Sequence, residues 1–154
     1  MTTQEVREGV QKAIFGVQAE VPLLDFKAVH ERSTAHRLAV HLESVFRGWN
    51  VDCEYDRDGQ IRKYLLGKAQ CDSQSQSDAI VPDIIVHHRR GLGREHNLLV
   101  IEMKKNAAED ACDQSKLKLL TAQTGRYQYQ LGLYINVDGG KFTCTWYKNG
   151  EKLK

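Results

Sequence analysis

Long apolar runs are missing from this chain. The stretch from Ala79 to Val86 is broken at Pro82 and Asp83, and Leu98 to Ile101 is four residues long, against the roughly 20 needed to span a bilayer. No membrane association is therefore expected. The opening residues, Met-Thr-Thr-Gln-Glu-Val-Arg-Glu, lack a basic segment followed by an apolar one, so no secretory signal is read and a cytoplasmic location is expected. Close cysteine pairs are also absent. Cys53, Cys71, Cys112 and Cys144 are separated by 18, 41 and 32 residues, which argues against a cysteine-zinc site. Without a secretion signal, four free thiols are the expectation. A strong charge of one sign is missing too: the net charge is +2, too small to identify a nucleic-acid partner by itself. There is no internal repeat.

What remains is an ordinary globular composition, 41% hydrophobic and 27% charged over 154 residues, suited to a single domain spanning 1–154. Basic residues cluster locally at Arg89-Arg90 with Arg94, at Lys104-Lys105, at Lys116 with Lys118, and from Lys148 to Lys154. Such loops neutralise phosphates even in a nearly neutral domain, although solvated surface charge is the plainer reading.

Thr2 or Thr3 caps a first expected helix running to about Ala19, with Glu5 supporting its start and Val6, Val10, Ala13, Ile14 and Val17 at helical spacing. After Pro22 a second helix is expected from about Asp25 to Arg47, with Val29, Ala35, Leu38, Leu42, Val45 and Phe46 as its stripe and Gly48 at its end. The period then changes. Val51 to Tyr55 reads as a strand, Asp58-Gly59 as a turn and Ile61 to Leu66 as a returning strand. The polar stretch Gln70 to Asp78 reads as a loop. Ile80 to His87 and Leu98 to Met103 have the Ile, Val and Leu content of buried central strands. A third helix is expected from Ala108 to Ala122, then strands from Gln128 to Val137 and from Phe142 to Tyr147 about an Asp138-Gly139-Gly140 turn. The unit from Leu98 to Val137 is a β-α-β crossover. The fold class is α/β, a central mixed sheet flanked by helices.

Pro82-Asp83 lies on one of these central strands, and Glu102-Met103-Lys104 ends the next, with Glu102 standing 19 residues after Asp83. Residues i and i+2 of a strand project from one face, about 6 to 7 Å apart. If the strands are neighbours, about 4.8 Å apart, Asp83 joins Glu102 and Lys104. Two carboxylates converging among apolar strands repel and are poorly solvated. A hard cation such as Mg²⁺ relieves both costs, since it takes one or two carboxylates and completes its shell with water and phosphate oxygens. It also polarises a phosphoryl oxygen and acidifies a bound water. The lysine then orients or deprotonates that water, or stabilises charge on the phosphorane. On the second helix, relative to Glu31, Ala35 lies at about 40°, Leu38 at about −20° and Leu42 at about 20°. Glu31 is thus a core-side carboxylate that needs a partner, such as a metal-bound water or the lysine.

Pro82-Asp83, then Glu102-x-Lys104, preceded by a helix bearing Glu31, resembles the PD-(D/E)xK nuclease superfamily, over roughly Val29 to Val137. The resemblance implies a restriction-endonuclease-like α-β-β-β-α-β core at about 26–137, with an added N-terminal helix and C-terminal hairpin. It further implies Mg²⁺ or Mn²⁺ on Asp83 and Glu102, with the Met103 backbone carbonyl as a further ligand. Lys104 is implied as the catalytic lysine and Glu31 as an acid acting through water. Gln114 or Lys116 is implied as a polar helper on the third helix. The function expected on this basis is a metal-dependent nuclease acting on nucleic acid, with DNA as the first choice. So small a chain suggests a homodimer, a partner protein or weak sequence specificity. The rival is an inactive module of this fold that binds nucleic acid or protein; a small-nucleotide phosphoesterase is a third reading. A nuclease needs the basic loop Arg89 to Arg94 and Lys105 near the metal.

Plainer alternatives stand beside each residue. Asp83 caps a turn, Glu102 and Lys104 form an exposed ion pair, or Glu31 serves the helix dipole. Adjacent His87 and His88 point to opposite faces, so they and His96 read as surface or loop residues rather than metal ligands. Asp113 and Lys116 read as a local pair on a solvated helix face. Tyr127 and Tyr129 read as core or rim packing in preference to base stacking.

Overall fold

The structure, a computed structural model, describes residues 1–20, 31–53, 81–109 and 111–154. Helix α1 spans Thr3–Ala19 and α2 spans Glu31–Val45. Strands β1 (Asn50–Cys53), β2 (Ile84–His87) and β3 (Asn97–Lys105) follow, then α3 (Ala111–Thr121), β4 (Leu131–Asp138), β5 (Lys141–Lys148) and β6 (Glu151–Lys152). The protein is an α/β fold, and among the described residues its strands form one six-stranded sheet in the order β1-β2-β3-β4-β5-β6. All neighbours are antiparallel except β3 and β4, which run parallel on either side of α3. No helix among the described residues is long and apolar enough to cross a membrane. The Asp58-Gly59 turn, the Ile61 to Leu66 strand, the Gln70 to Asp78 loop and the α2 start before Glu31 lie outside the described residues.

Helix α1 begins as its sequence dictates. Thr2 Oγ1 accepts from the Glu5 N–H at 3.2 Å, and Glu5 Oε2 accepts from the Thr2 N–H at 2.6 Å, a reciprocal capping box. The expected stripe Val6, Val10, Ala13, Ile14 and Val17 is buried. It shares one apolar layer with Leu38 and Leu42 of α2 and with Val86, Leu99, Ile101, Met103, Leu133 and Ile135 of the sheet. Period-2 alternation sends Ile85, Val100 and Tyr134 to the opposite face, under Leu117 and Leu120 of α3, where Tyr127, Tyr129 and Tyr147 complete a second layer. Tyr127 and Tyr129 are therefore core residues, in the loop before β4.

Two glycines let α1 and α2 approach closely. A Cβ at Gly9 would stand 2.7 Å from Phe46 Cζ, and one at Gly16 would stand 2.4 Å from His41 Nδ1. Phe46 is 1% exposed and has nowhere to retreat. Gly9→Val is expected to destabilise the fold by about 2 kcal/mol through overpacking, whereas Phe15→Ala, at a side chain 73% exposed, stays within about 0.5 kcal/mol of the parent. Urea unfolding of both variants tests this contrast, and an unchanged midpoint for Gly9→Val would contradict the close approach.

The C-terminal hairpin expected from sequence is longer by one strand. Gly139 (φ 54°) and Gly140 (φ 87°) turn β4 into β5, and Asn149 (φ 54°) with Gly150 (φ 81°) turns β5 into β6. Consecutive positive φ values match the twist of antiparallel strands. Cys144 is a free thiol, raised to about 11 by burial, but Cys112 is disulfide-bonded, so the expectation of four free thiols fails.

Candidate active site

The site is built where β2 gives out beside β3. Their register pairs Ile84 with Ile101, and continuing it by one residue sets Asp83 opposite Glu102. Pro82 precedes Asp83 and has no N–H to extend the ladder. The β3 edge left uncovered is capped by acids from two other elements. Asp83 Oδ2 accepts from the Met103 N–H at 2.6 Å, and Glu31 Oε2, at the start of α2, accepts from the Lys105 N–H at 3.0 Å. Asp83 is therefore not merely a turn cap, and Glu31 reaches the end of the motif strand. The partner expected for Glu31 was a water or an ammonium; the observed one is a backbone amide. Beside these acids opens a cleft of about 200 Å³ lined by Glu31, Arg32, Ala35, Cys53 and Asp83.

Glu102 points to the α3 side and is 2% exposed, so the exposed-pair alternative does not hold. Its Oε2 lies 3.6 Å from Lys116 Nζ, and its Oε1 has no hydrogen-bond partner. Burial pushes the Glu102 carboxyl up to about 8; the Lys116 ammonium opposes this, while Asp83 and Asp113 add to it. Burial also raises Asp83, against the lowering effect of the Met103 N–H, and Glu31 raises it further. Burial alone would lower Lys104, but Asp113, Glu31, Asp83 and Glu102 together outweigh it and raise it. The cluster thus holds Lys104 as an ammonium and leaves its acids short of positive charge. Met103 turns its side chain into the α1–α2 layer, fully buried, so only its backbone is available to the site. A strand residue's N–H and C=O leave the same edge, which directs the Met103 carbonyl to the Asp83 side.

These donors suit a hard divalent cation. Two carboxylates of raised proton affinity and a buried carboxylate oxygen without a partner are what Mg²⁺ or Mn²⁺ would neutralise. Among the described residues no three His, Cys, Asp or Glu side chains are grouped so as to hold a metal ion, so an ion on Asp83 and Glu102 would need water or phosphate oxygens for most of its shell.

Helix α3 contributes more than its sequence suggested. Asp113 is 2% exposed and acts electrostatically on both Glu102 and Lys104; it is not on a solvated face. The signal was present: Asp113, Leu117, Leu120 and Thr121 recur at i, i+4, i+7 and i+8, the spacing of one buried helix face. Of Gln114 and Lys116, it is Lys116 that reaches Glu102.

The basic loop falls elsewhere. Arg89 to Arg94 joins the end of β2 to the start of β3, and Glu102 stands about 16 Å along β3 from Asn97. Within that region Arg89 is tied to Asp52 by contacts of 3.0 and 2.5 Å. His87 is no surface residue: it is 5% exposed, with Nε2 2.8 Å from Asp52 Oδ2. The expected proximity of this loop to the metal is not met, while Lys105 does adjoin the site through its backbone bond to Glu31.

Fold and site together define an α/β protein whose mixed sheet carries a buried acid–lysine cluster at the end of its central strands. Comparison with protein-family models, curated proteins and solved structures returns no match for the chain.

Proposed function

We propose that this chain is a divalent-metal-dependent nuclease of the PD-(D/E)xK type, hydrolysing phosphodiester bonds in nucleic acid, with DNA as the first substrate to test. The observation that carries the reading is the convergence of Asp83, Glu102 and Lys104 at one strand end, with the buried Glu102 Oε1 lacking a partner. The order α2-β1-β2-β3-α3-β4 agrees with the α-β-β-β-α-β core of a restriction-endonuclease-like fold and supports it.

In this reading Asp83, Glu102 and the Met103 carbonyl hold Mg²⁺ or Mn²⁺. The bound ion supplies Lewis acidity at a phosphoryl oxygen and an acidified water. The Lys104 ammonium orients the attacking water and stabilises negative charge developing on the phosphorane oxygens. Glu31 is a positioning residue: its bond to the Lys105 N–H fixes the strand end that carries Lys104 and Met103. Lys116 and Asp113 set the charge and orientation of the Glu102 carboxylate from α3. Because the Arg89 to Arg94 loop lies at the other end of the strands, the phosphate backbone is met near the site by Arg32, Lys104, Lys105 and Lys116.

The rival is a binding module without cleavage. Lys116 favours it, because its ammonium already stands at Glu102. Incubating the chain with single- and double-stranded DNA and RNA, with Mg²⁺, with Mn²⁺ and with chelator, separates the two. Metal-dependent cleavage supports the nuclease; nucleic-acid binding that is equal with and without metal, and never leads to cleavage, overturns it.

A further inference from the structure

His88 and His96 bracket the β2–β3 loop, and the fold brings them together. The His88 N–H donates to the His96 carbonyl at 2.8 Å, closing the loop at its base. The His88 ring lies on Trp49, with centroids 4.0 Å apart and planes at 6°. Its Nε2 is 3.2 Å from the Gly48 carbonyl. A carbonyl only accepts, so Nε2 carries the hydrogen and Nδ1 carries the lone pair. That Nδ1 faces His96 Nδ1 at 3.3 Å. The His96 ring sits where Gly91 has no side chain: a Cβ there would come within 2.3 Å of His96 Cγ.

This geometry matches two ligands of one metal ion. Two nitrogens each about 2.0 to 2.1 Å from a tetrahedral ion stand about 3.3 to 3.4 Å apart; in the metal-free chain the same 3.3 Å is a ring-to-ring hydrogen bond that the ion would replace. A metal-ligating histidine commonly donates its second ring N–H to a backbone carbonyl, as His88 does to Gly48. The surrounding cations are partly spoken for: Arg89 is paired with Asp52, and Arg94 Nη1 bonds Asn149 Oδ1 at 3.2 Å. The Glu95 carboxylate lies 3.9 Å from His96 Nε2, a negative charge beside the pair.

We propose that His88 Nδ1 and His96 Nδ1 form a site for a borderline divalent transition ion of the Zn²⁺ class. The protein supplies two ligands and water fills the open positions. Imidazole selects this class over Mg²⁺, so the site is chemically and spatially separate from the acid cluster around Glu102 and does not depend on the nuclease reading.

The test is Zn²⁺ titration of the full chain by calorimetry, with Co²⁺ absorption reporting tetrahedral coordination. The chain is expected to bind about one equivalent. His96→Gln, and His88→Phe, which keeps a ring on Trp49, should each weaken binding roughly tenfold or more. Gly91→Ala, which leaves both ligand residues in the sequence, should weaken it by displacing the His96 ring. The Asp83→Ala/Glu102→Ala double variant, which lacks the acid cluster as a second place for Zn²⁺, should retain the histidine-dependent binding. Absence of Zn²⁺ binding, binding unchanged in both histidine variants, or binding lost only in the acid double variant overturns the site. Melting curves confirm that each variant is folded.

Discussion

Glu102→Ala and Asp83→Ala are each expected to reduce metal-dependent phosphodiester cleavage by on the order of a thousandfold, while the chain stays folded. Glu102 is the more informative position. Its side chain is nearly fully buried and its Oε1 has no partner, so it contributes little to stability that a neutral residue would lose. What it supplies is charge aimed at one point. Alanine removes the group the ion would ionise; in the metal-free chain burial, Asp83 and Asp113 keep that carboxyl protonated up to about 8. Loss of activity in a protein no less stable than the parent is therefore the signature of a functional carboxylate, and it is the reverse of what removing a structural residue does. Asp83→Ala also removes the acceptor for the Met103 N–H, and some loss of stability accompanies its loss of cleavage. Arg90→Ala, in the loop at the far end of β2 and β3, leaves the turnover step unchanged. Gel-based cleavage kinetics with melting curves on the same preparations distinguish these outcomes. A Glu102→Ala protein that cleaves as fast as the parent would falsify the assignment.

The metal-free chain should lose stability as pH rises from about 4.5 toward about 8, at up to about 1.4 kcal/mol per pH unit. Glu102 is responsible. Its carboxyl titrates near the ordinary value of 4.5 in the unfolded chain and at about 8 in the folded one, because burial disfavours the carboxylate. Below both values each state is protonated and nothing is lost. Between them the unfolded chain has released a proton that the folded chain still holds, so each step upward favours unfolding until the folded group ionises. The raised Asp83 acts in the same direction. Glu20, held at about 2 chiefly by Arg37, and Asp52, lowered chiefly by Arg89, act with the opposite sign but at lower pH. Melting curves in chelator across this window should show the parent falling and Glu102→Gln changing much less. Adding Mg²⁺ near pH 8 should restore the parent and leave Glu102→Gln where it was. A parent whose melting temperature is flat or rises across the window would contradict the buried acid.

Much of the architecture was legible because it is local. The α1 stripe, its Thr2 cap and the apolar central strands are periodic patterns that depend on neighbouring residues alone. The i, i+2 spacing of Glu102 and Lys104 is local in the same sense. Asp113 is equally readable from its spacing to Leu117, although its charge points to an exposed face. The Asn149-Gly150 turn that adds β6 is a local hairpin signal of the same kind. The rest depends on pairings distant in sequence. Whether Asp83 meets Glu102 is set by the β2–β3 register, and only the fold shows Glu31 capping the amide of Lys105. The histidines show the limit most clearly. Alternation correctly separates His87 from His88, but it says nothing about His96 across the loop. The register also shifts between Val86 and His87, and such an irregularity re-aims the side chains beyond it. The place of the basic loop follows from the same pairing: a β-hairpin carries its connecting residues to one end of the strands, here the end away from the acids.

The central claim is that Asp83 and Glu102 hold a divalent ion, and calorimetric titration of Mn²⁺ and Mg²⁺ tests it most directly, first on the chain alone and then with DNA present. The account predicts binding, directly or once phosphate oxygens complete the shell, that both Asp83→Ala and Glu102→Ala abolish in folded protein. Equal binding by the parent and both variants, or no binding with DNA present, would contradict it.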